Sequence, residues 1–262
     1  MTTEKIVMQQ ARKALRGNLS KLIAAAGLTM LAFLLVEYLE YFVGVLLGVP
    51  DIDSGEQLPF DNPAALAVAL GFTAVLLLAM PLLNGFLRMA ATTAVRKECA
   101  SRDIFYYFRS AGLYFKTVLV DFLLYALWSL AAAMLNASGI LGALMPELFQ
   151  VDTPFTVQHY LTVLAAVVTV LLRVILYMLL AHYPLLAYAL NENRSVGQCV
   201  FGTIGFSFRH FGQLLRLMFR FIGWFALCFF VVPALYVLPY FSVASLMSAR
   251  WLLELDNGGS DI

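Results

Sequence analysis

The stretch "AALAVALGFTAVLLLAMPLLNGFL" (residues 64–87) contains no charged side chain. A helix over this stretch would be long enough to cross a membrane, because about 20 apolar residues span the roughly 30 Å of hydrocarbon. Across the whole chain 62% of residues are hydrophobic and 13% are charged, against about 45–50% and about 25% in soluble domains. Too little polar surface remains to cover a water-soluble exterior, so we expect lipid to be the main solvent of this protein.

Further stretches of the same kind predict an all-α, polytopic membrane protein. Apolar runs long enough for one crossing lie at residues 22–47, 64–87, 117–135 and 161–189, and a longer run lies at residues 214–255. Pro233 and Pro239 each remove a backbone donor and disfavour helix in the preceding residue. We expect them to form a tight turn that divides the last run into two crossings. The predicted fold is six transmembrane helices in a single integral membrane domain, residues 1–262; five helices, the last one long or broken, is the alternative.

The Lys and Arg residues are concentrated on one side of this predicted bundle. They lie before the first run, between the second and third, in or just beyond the connection between the fourth and fifth, and at the end of the last; Arg173 is the exception. The two other connections, residues 50–63 and 136–155, contain no cation. Cytoplasmic loops of membrane proteins carry an excess of Lys and Arg. We therefore expect a plasma-membrane protein with both termini in the cytoplasm, which requires an even number of crossings.

Two similar stretches suggest an internal repeat. "FRSAGLYFK" (residues 108–116) and "FRHFGQLLR" (residues 208–216) both read Phe-Arg, two residues, Gly, three residues and a cation. At the same offset Cys99 aligns with Cys199, and Ile104 with Ile204. A weaker third copy, "GNLSK", keeps the glycine-to-cation spacing at residues 17–21. The predicted repeat units are residues 1–90, 91–190 and 191–255; the alternative is that any cytoplasmic start of a membrane helix recruits Gly, Arg and aromatic residues.

Three segments that precede these stretches predict short cytoplasmic amphipathic helices at the membrane interface. Residues 4–16, 100–110 and 198–211 mix apolar residues with cations and are too short and polar to cross. After each, we expect an elbow in which a glycine lets the chain turn and a cation sits at the level of the lipid phosphates. The predicted partner is the lipid bilayer, with anionic headgroups at the cytoplasmic face. The elbow residues are Gly17, Lys21, Arg109, Gly112, Lys116, Arg209, Gly212 and Arg216.

Four ionisable residues fall inside the predicted crossings: Glu37, Glu40, Asp121 and Arg173. Charges at membrane depth are costly and usually face protein or water, which makes them candidates for function. Asp121 is expected near the inner interface and Glu40 near the outer end of its helix. Glu37 and Arg173 are expected in the outer half of the bilayer, and Arg173 is predicted to pair with Glu37 or Glu40. Such a pair would either fix helix packing or form part of a transport site.

Motifs for familiar catalytic chemistry are absent from the sequence. It contains no GxxxxGK[ST] phosphate loop, no HExxH zinc helix and no GxSxG nucleophile turn. His159, His182 and His210 are expected at different ends or elements of the bundle and so do not form one metal site. We therefore expect no catalytic residues, no metal, no cofactor and no nucleic-acid partner, and we leave a protein partner open.

Three stretches resemble a bacterial integral-membrane family called domain of unknown function 975. They are "ARKALRGN" (residues 11–18), "YPLLAYALNEN" (residues 183–193) and residues 219–255, which contain "FIGW" and "LPYF". That family is similar to the non-catalytic membrane domain found ahead of some glycerophosphodiester phosphodiesterases, and this chain contains no hydrolase domain. The resemblance implies a six-helix plasma-membrane protein of a Gram-positive bacterium. It implies no activity and no catalytic residues.

Three classes of function are compatible with these features. The first is a non-enzymatic, multi-pass membrane module that acts as a scaffold or interacts with lipids, which the missing catalytic motifs and the basic segments favour. The second is a small-solute or lipid transporter that uses the membrane-buried charges. The third is a membrane-embedded enzyme that modifies lipids. A polar cavity that reaches the buried charges would favour transport, whereas a closed apolar core would favour the first class.

Overall fold

The computed structural model describes residues 3–48, 63–96, 98–137, 164, 168–169, 171–190, 195–228 and 231–256. The described residues are almost entirely helical and include no strand, as the sequence predicts. The two cation-free connections, residues 50–63 and 136–155, lie almost wholly outside the described residues, and so does His159.

The helices follow the predicted apolar runs and extend past most of their ends. They are α1 (Thr3–Leu15), α2 (Leu19–Leu46), α3 (Pro63–Arg96), a 3₁₀ helix (Ser101–Phe108), α4 (Ala111–Ala137), α5 (Leu171–Leu190), α6 (Thr203–Arg209), α7 (Phe211–Leu227) and α8 (Val231–Asp256). Two short π-helical turns interrupt this pattern, Met178–His182 within α5 and Gln198–Gly202 just before α6.

Four of the described helices, α2, α3, α4 and α5, are long and apolar enough to cross a membrane. In α2 the large side chains of the second half are exposed, among them Tyr38 (72%) and Leu46 (68%). Exposed leucines and aromatics in such density are rare on a water-soluble surface, where a large apolar patch marks contact with an apolar partner. The chain therefore has the helices of a membrane protein.

The last apolar run forms two helices, but the prolines do not make the break between them. Helix α7 ends at Leu227 and α8 begins at Val231, before both prolines. Pro233 is the third residue of α8, where a missing N–H costs little because the first-turn N–H groups of a helix have no intrahelical partner. Pro239 lies inside α8. The expectation that Pro233 and Pro239 form the turn is therefore wrong.

The chain divides into two compact units. The first contains residues 1–121 and 212–262, and the second contains residues 122–211. These limits fall within α4 and at the start of α7, and they differ from the predicted repeat boundaries at residues 90 and 190. The single domain and the three repeat units stay predictions.

In the first unit, helix α8 lies at the centre and packs against α1, α2 and α3. Its small residues Ala244, Ser245 and Ala249 are fully buried, which lets neighbouring backbones approach closely. Helix α1 lies on α8, and its Ala11 is fully buried there with the rest of its inward face. Because α1 buries this face against protein, most of its apolar side is not left for lipid, and Ile6 is its large apolar side chain with substantial exposure, at 41%.

In the second unit, the C-terminal end of α5 packs against α6 and the π-helical turn before it. Leu186, Tyr188 and Cys199 are almost completely buried here. The ring of His182 stacks on Tyr177 with centroids 6.4 Å apart, within an aromatic group that also includes Trp128. His182 and its neighbour Tyr183, whose ring centroids lie 5.5 Å apart, thus lie in a packed aromatic setting.

Candidate functional site

A cavity of about 570 Å³ lies in the first unit, where the α1–α2 junction meets the end of α3 and the start of the 3₁₀ helix. We call it the junction cavity. It is lined by residues 16–18 and Lys21 from the junction, Thr92 and Arg96 from α3, and residues 98–100 and Asp103 from the segment that follows. Two of the predicted cation-rich segments, distant in sequence, therefore share one cavity.

Among the described residues three cations line the junction cavity, and two of these make no contact with another described polar group. Lys21 Nζ donates a hydrogen bond to the backbone oxygen of Cys99 over 3.0 Å, which ties the start of α2 to the segment after α3. Within the part of the chain that the structure describes, the guanidinium groups of Arg16 and Arg96 make no hydrogen bond and no ion pair. Both side chains are exposed, so they can reach a ligand that enters from outside.

The start of α2 also contributes positive character to the cavity. Asn18, the residue before α2, makes no side-chain bond to the first turn of the helix. Its side chain instead donates to the Ala14 oxygen over 3.3 Å and accepts from the Cys99 N–H over 3.4 Å. The first turn contains no acidic residue. The unsatisfied N–H groups at the start of this long helix therefore keep their partial positive charge.

Two acidic residues also line the cavity, and they differ in how far they are neutralised. Asp103 accepts the N–H of Ala100 over 3.4 Å and pairs with Arg109 over 3.5 Å. Glu98 is exposed and makes no hydrogen bond or ion pair with any described residue. Cations therefore outnumber carboxylates among the described lining residues, and Glu98 is the lining carboxylate that forms no ion pair with a described residue.

The wall that carries Asp103 is held against α3 by an unusually close backbone contact. A side-chain carbon at Gly85 would lie 1.9 Å from the backbone oxygen of Ile104, so only glycine leaves room for the 3₁₀ helix. Beside this contact, the guanidinium carbon of Arg88 lies 3.4 Å from the ring centre of Tyr106, and that of Arg109 lies 5.2 Å away. These stacked cations and the buried Tyr107 fix the segment in place.

The outer face of the 3₁₀ helix is apolar. Phe105 and Phe108 are 51% and 45% exposed, whereas Ile104 and Tyr107 face α3 and are buried. In the second unit, residues 198–209 also expose aromatic rings, with Phe201 and Phe208 at 73% and 57%. Exposed aromatics beside cations are typical of segments that lie at a membrane interface.

Gly17 is the only one of the three elbow glycines that has a backbone conformation favouring glycine. Its φ is +86°. Gly112 and Gly212 are the second residues of α4 and α7, without positive φ. The helices break earlier, at residues 109–110 and at His210. This corrects the expectation that Gly112 and Gly212 make the turns, because a helix has already begun when each glycine is reached.

The elbow cations have different surroundings. Lys21 lies in the junction cavity and Arg109 pairs with Asp103 and lies near Tyr106. Lys116 is half-buried on α4. Arg209 and Arg216 are both exposed, at the end of α6 and on α7. Of this set, Lys21 lines the junction cavity and the other four cations do not.

Of the four charges predicted inside the membrane, only Asp121 is deeply buried. Glu37 and Arg173 are exposed and Glu40 is half-buried. The predicted pairing of Arg173 with Glu37 or Glu40 links residues of different units and stays a prediction.

Asp121 has a partner that the sequence reasoning missed. The amide of Asn84 donates to the Asp121 carboxylate, Nδ2 to Oδ2, over 2.7 Å, and Asn84 is fully buried. The other oxygen of each side chain has no hydrogen-bond partner among the described residues. The signal was present in the sequence: Asn84 is the one amide in the apolar run 64–87.

Asn84 lies one turn after Pro81 of α3, and Pro81 lacks the N–H that would bond to the Leu77 oxygen one turn before it. Side chains donate to other carbonyl groups near the proline: Asn84 Nδ2 donates to the Met80 oxygen over 3.3 Å, and the Tyr114 hydroxyl donates to the Leu78 oxygen over 2.9 Å. Polar side chains of α3 and α4 thus surround the proline, as expected where a membrane helix contains one.

The described residues contain no group of three or more His, Cys, Asp or Glu side chains that could hold a metal ion. No protein-family model, no curated protein and no solved structure matches this chain. The likeness to domain of unknown function 975 therefore stays an expectation from the sequence.

Proposed function

We propose that this protein is a non-enzymatic, multi-pass membrane module that interacts with anionic lipids at the cytoplasmic face of the plasma membrane. One observation carries the proposal: cations from the α1–α2 junction and from the end of α3 line one cavity beside apolar helices. Basic groups at a membrane surface attract anionic lipid, by about 1 kcal/mol for each cation. A scaffold for a protein partner is compatible with the same surface.

The proposed topology has six crossings, formed by α2, α3, α4, α5, α7 and α8, with both termini in the cytoplasm. The common position of the two cation-rich segments supports it, since the positive-inside rule requires them on one side. The proposed repeat is supported by the long helices that begin at residues 111 and 211, each after a short helical segment with exposed phenylalanines.

The topology is tested with fluorescent and periplasmic reporters fused after Leu255 and inserted between residues 51 and 62. We expect the C-terminal fusion to report a cytoplasmic location and the insertion to report an external one. A C-terminal reporter outside the cell would contradict the six-crossing proposal.

Lipid interaction is tested with the purified protein in nanodiscs made of phosphatidylcholine with increasing phosphatidylglycerol. We expect anionic lipid to be enriched around the protein and to raise its unfolding temperature. Equal behaviour in both lipids, at low and at high salt, would contradict a preference for anionic headgroups.

Transport is a second candidate function, favoured by the Asn84–Asp121 pair. The pair lies in α3 and α4, two helices compatible with crossing a membrane, and offers two acceptor oxygens that no described residue partners; Asn84 lies one turn after Pro81. Polar residues beside a helix irregularity mark ion or substrate sites in many transporters. A pH-sensitive dye enclosed in proteoliposomes would report proton flux. Flux that is equal in wild type, in Asp121→Asn and in empty liposomes would contradict proton transport.

A further inference from the structure

The junction cavity combines three features that together define a ligand. It is a concave site of about 570 Å³, its lining includes two guanidinium groups that form no hydrogen bond or ion pair with any described residue, and the uncapped start of α2 contributes N–H groups. Arginine binds the oxygens of a phosphate in a fixed, two-pronged geometry. The N-terminus of a helix adds donors and a favourable dipole for the same anion.

We propose that the junction cavity binds a phosphate group, held by Arg16 and Arg96 with Lys21 and the first turn of α2 as further donors. The phosphate belongs either to a lipid headgroup or to a soluble phosphate ester. Only the first alternative rests on the proposed lipid interaction. Arg16 and Arg96 come from segments that are distant in sequence, so a bound phosphate would bridge the α1–α2 junction and the end of α3.

The existing hydrogen bonds of the cavity leave these donors available. Lys21 uses one of its three N–H groups on Cys99. The side chain of Asn18 is directed to Ala14 and Cys99 instead of to the helix start. Asp103 is engaged by Ala100 and Arg109, so the carboxylate that opposes an anion most directly is Glu98.

The test measures binding of short-chain phosphatidylglycerol, glycerol phosphate and short-chain phosphatidylcholine to the full-length protein in neutral detergent. The variant is Arg16→Gln with Arg96→Gln. The control is Lys13→Gln with Arg102→Gln, which removes the same charge from two exposed residues of the same segments that do not line the cavity.

We expect the cavity variant to bind phosphatidylglycerol at least about tenfold more weakly, the effect of one charged hydrogen bond. The control should change affinity less than about threefold, since exposed charges contribute little. Tight binding of glycerol phosphate would identify a soluble ester as the ligand, and binding of the lipid alone would identify a headgroup; both results support the phosphate site. Equal losses in the variant and the control would overturn it, because the attraction would then be general.

Glu98→Gln gives a second measurement with the opposite sign, useful if the arginine variant folds poorly. Removing this carboxylate should strengthen phosphate binding by about fivefold, because Glu98 lines the cavity and repels an anion bound beside it, unlike the control residues. Unchanged or weaker binding would contradict the site.

If the arginine variant still prefers phosphatidylglycerol as wild type does, the cavity site fails while the proposed lipid interaction survives. If the wild type shows no preference over phosphatidylcholine, the lipid interaction fails, and binding of glycerol phosphate then decides the cavity site.

Discussion

The backbone oxygen of Ile104 occupies the space in which any side chain at Gly85 would begin, 1.9 Å from the position of its first carbon. Helix α3 and the 3₁₀ helix therefore touch backbone to backbone at this point. Because Asp103, the neighbour of Ile104, lines the junction cavity, the contact also sets the position of one cavity wall.

Gly85→Ala should destabilise the protein, because a backbone atom must move to make room and cannot rotate away as a side chain can. We expect a loss of about 1–3 kcal/mol, the usual cost of overpacking, measured by unfolding in detergent. Gly71→Ala on the same helix is the control, since nothing lies within 4 Å of the added carbon. Equal stability of the two variants would contradict the close contact.

Gly17→Ala should cost about 1–2 kcal/mol of stability, because φ at this residue is +86° and side chains with a Cβ disfavour that region. Gly112→Ala and Gly212→Ala should be neutral or stabilising by up to about 1 kcal/mol, since both lie in helices with open space around them. Unfolding midpoints of the three variants test this order. A larger loss at Gly112 or Gly212 than at Gly17 would restore the original elbow interpretation.

Asn84→Leu should destabilise the protein by about 1–3 kcal/mol, because it removes the amide that donates a hydrogen bond to Asp121 Oδ2 and leaves a buried carboxyl group without that partner. Adding Asp121→Leu should recover part of this loss, since the second substitution removes the group left unsatisfied. A double-mutant cycle in detergent gives the coupling energy of the two side chains. Strictly additive effects would show that the hydrogen bond contributes nothing to stability.

Tyr240→Phe should weaken the attachment of α1 to α8, because the Tyr240 hydroxyl donates to the Met8 backbone oxygen over 3.3 Å. We expect a loss of about 0.5–1.5 kcal/mol. Tyr236→Phe is matched to it on the same helix and should change stability little, since the Tyr236 hydroxyl makes no hydrogen bond with a described residue. Protease sensitivity of the N-terminal segment, in addition to unfolding, shows whether α1 itself has loosened.

Composition and the lengths of the apolar runs were sufficient to predict an all-helical chain with helices that can cross a membrane. Runs such as residues 64–87 leave few alternatives, because a long uncharged stretch satisfies its backbone in lipid only as a helix. The same reasoning located the two helices within residues 214–255 but misplaced their junction, since Pro233 fits the first turn of α8.

Which side chains share a site was decided by tertiary structure. The sequence marks Arg16 and Arg96 only as two cations among seventeen, and the packing of the α1–α2 junction beside the end of α3 places both at one cavity. Likewise Asp121 was visible as a charge in an apolar run, but its pairing with Asn84 depends on how α3 and α4 meet. The apolar pattern of a segment predicts whether its helix is surrounded by lipid or by water. Contacts between helices depend on close packing of side chains from distant segments, which the pattern within one segment does not encode.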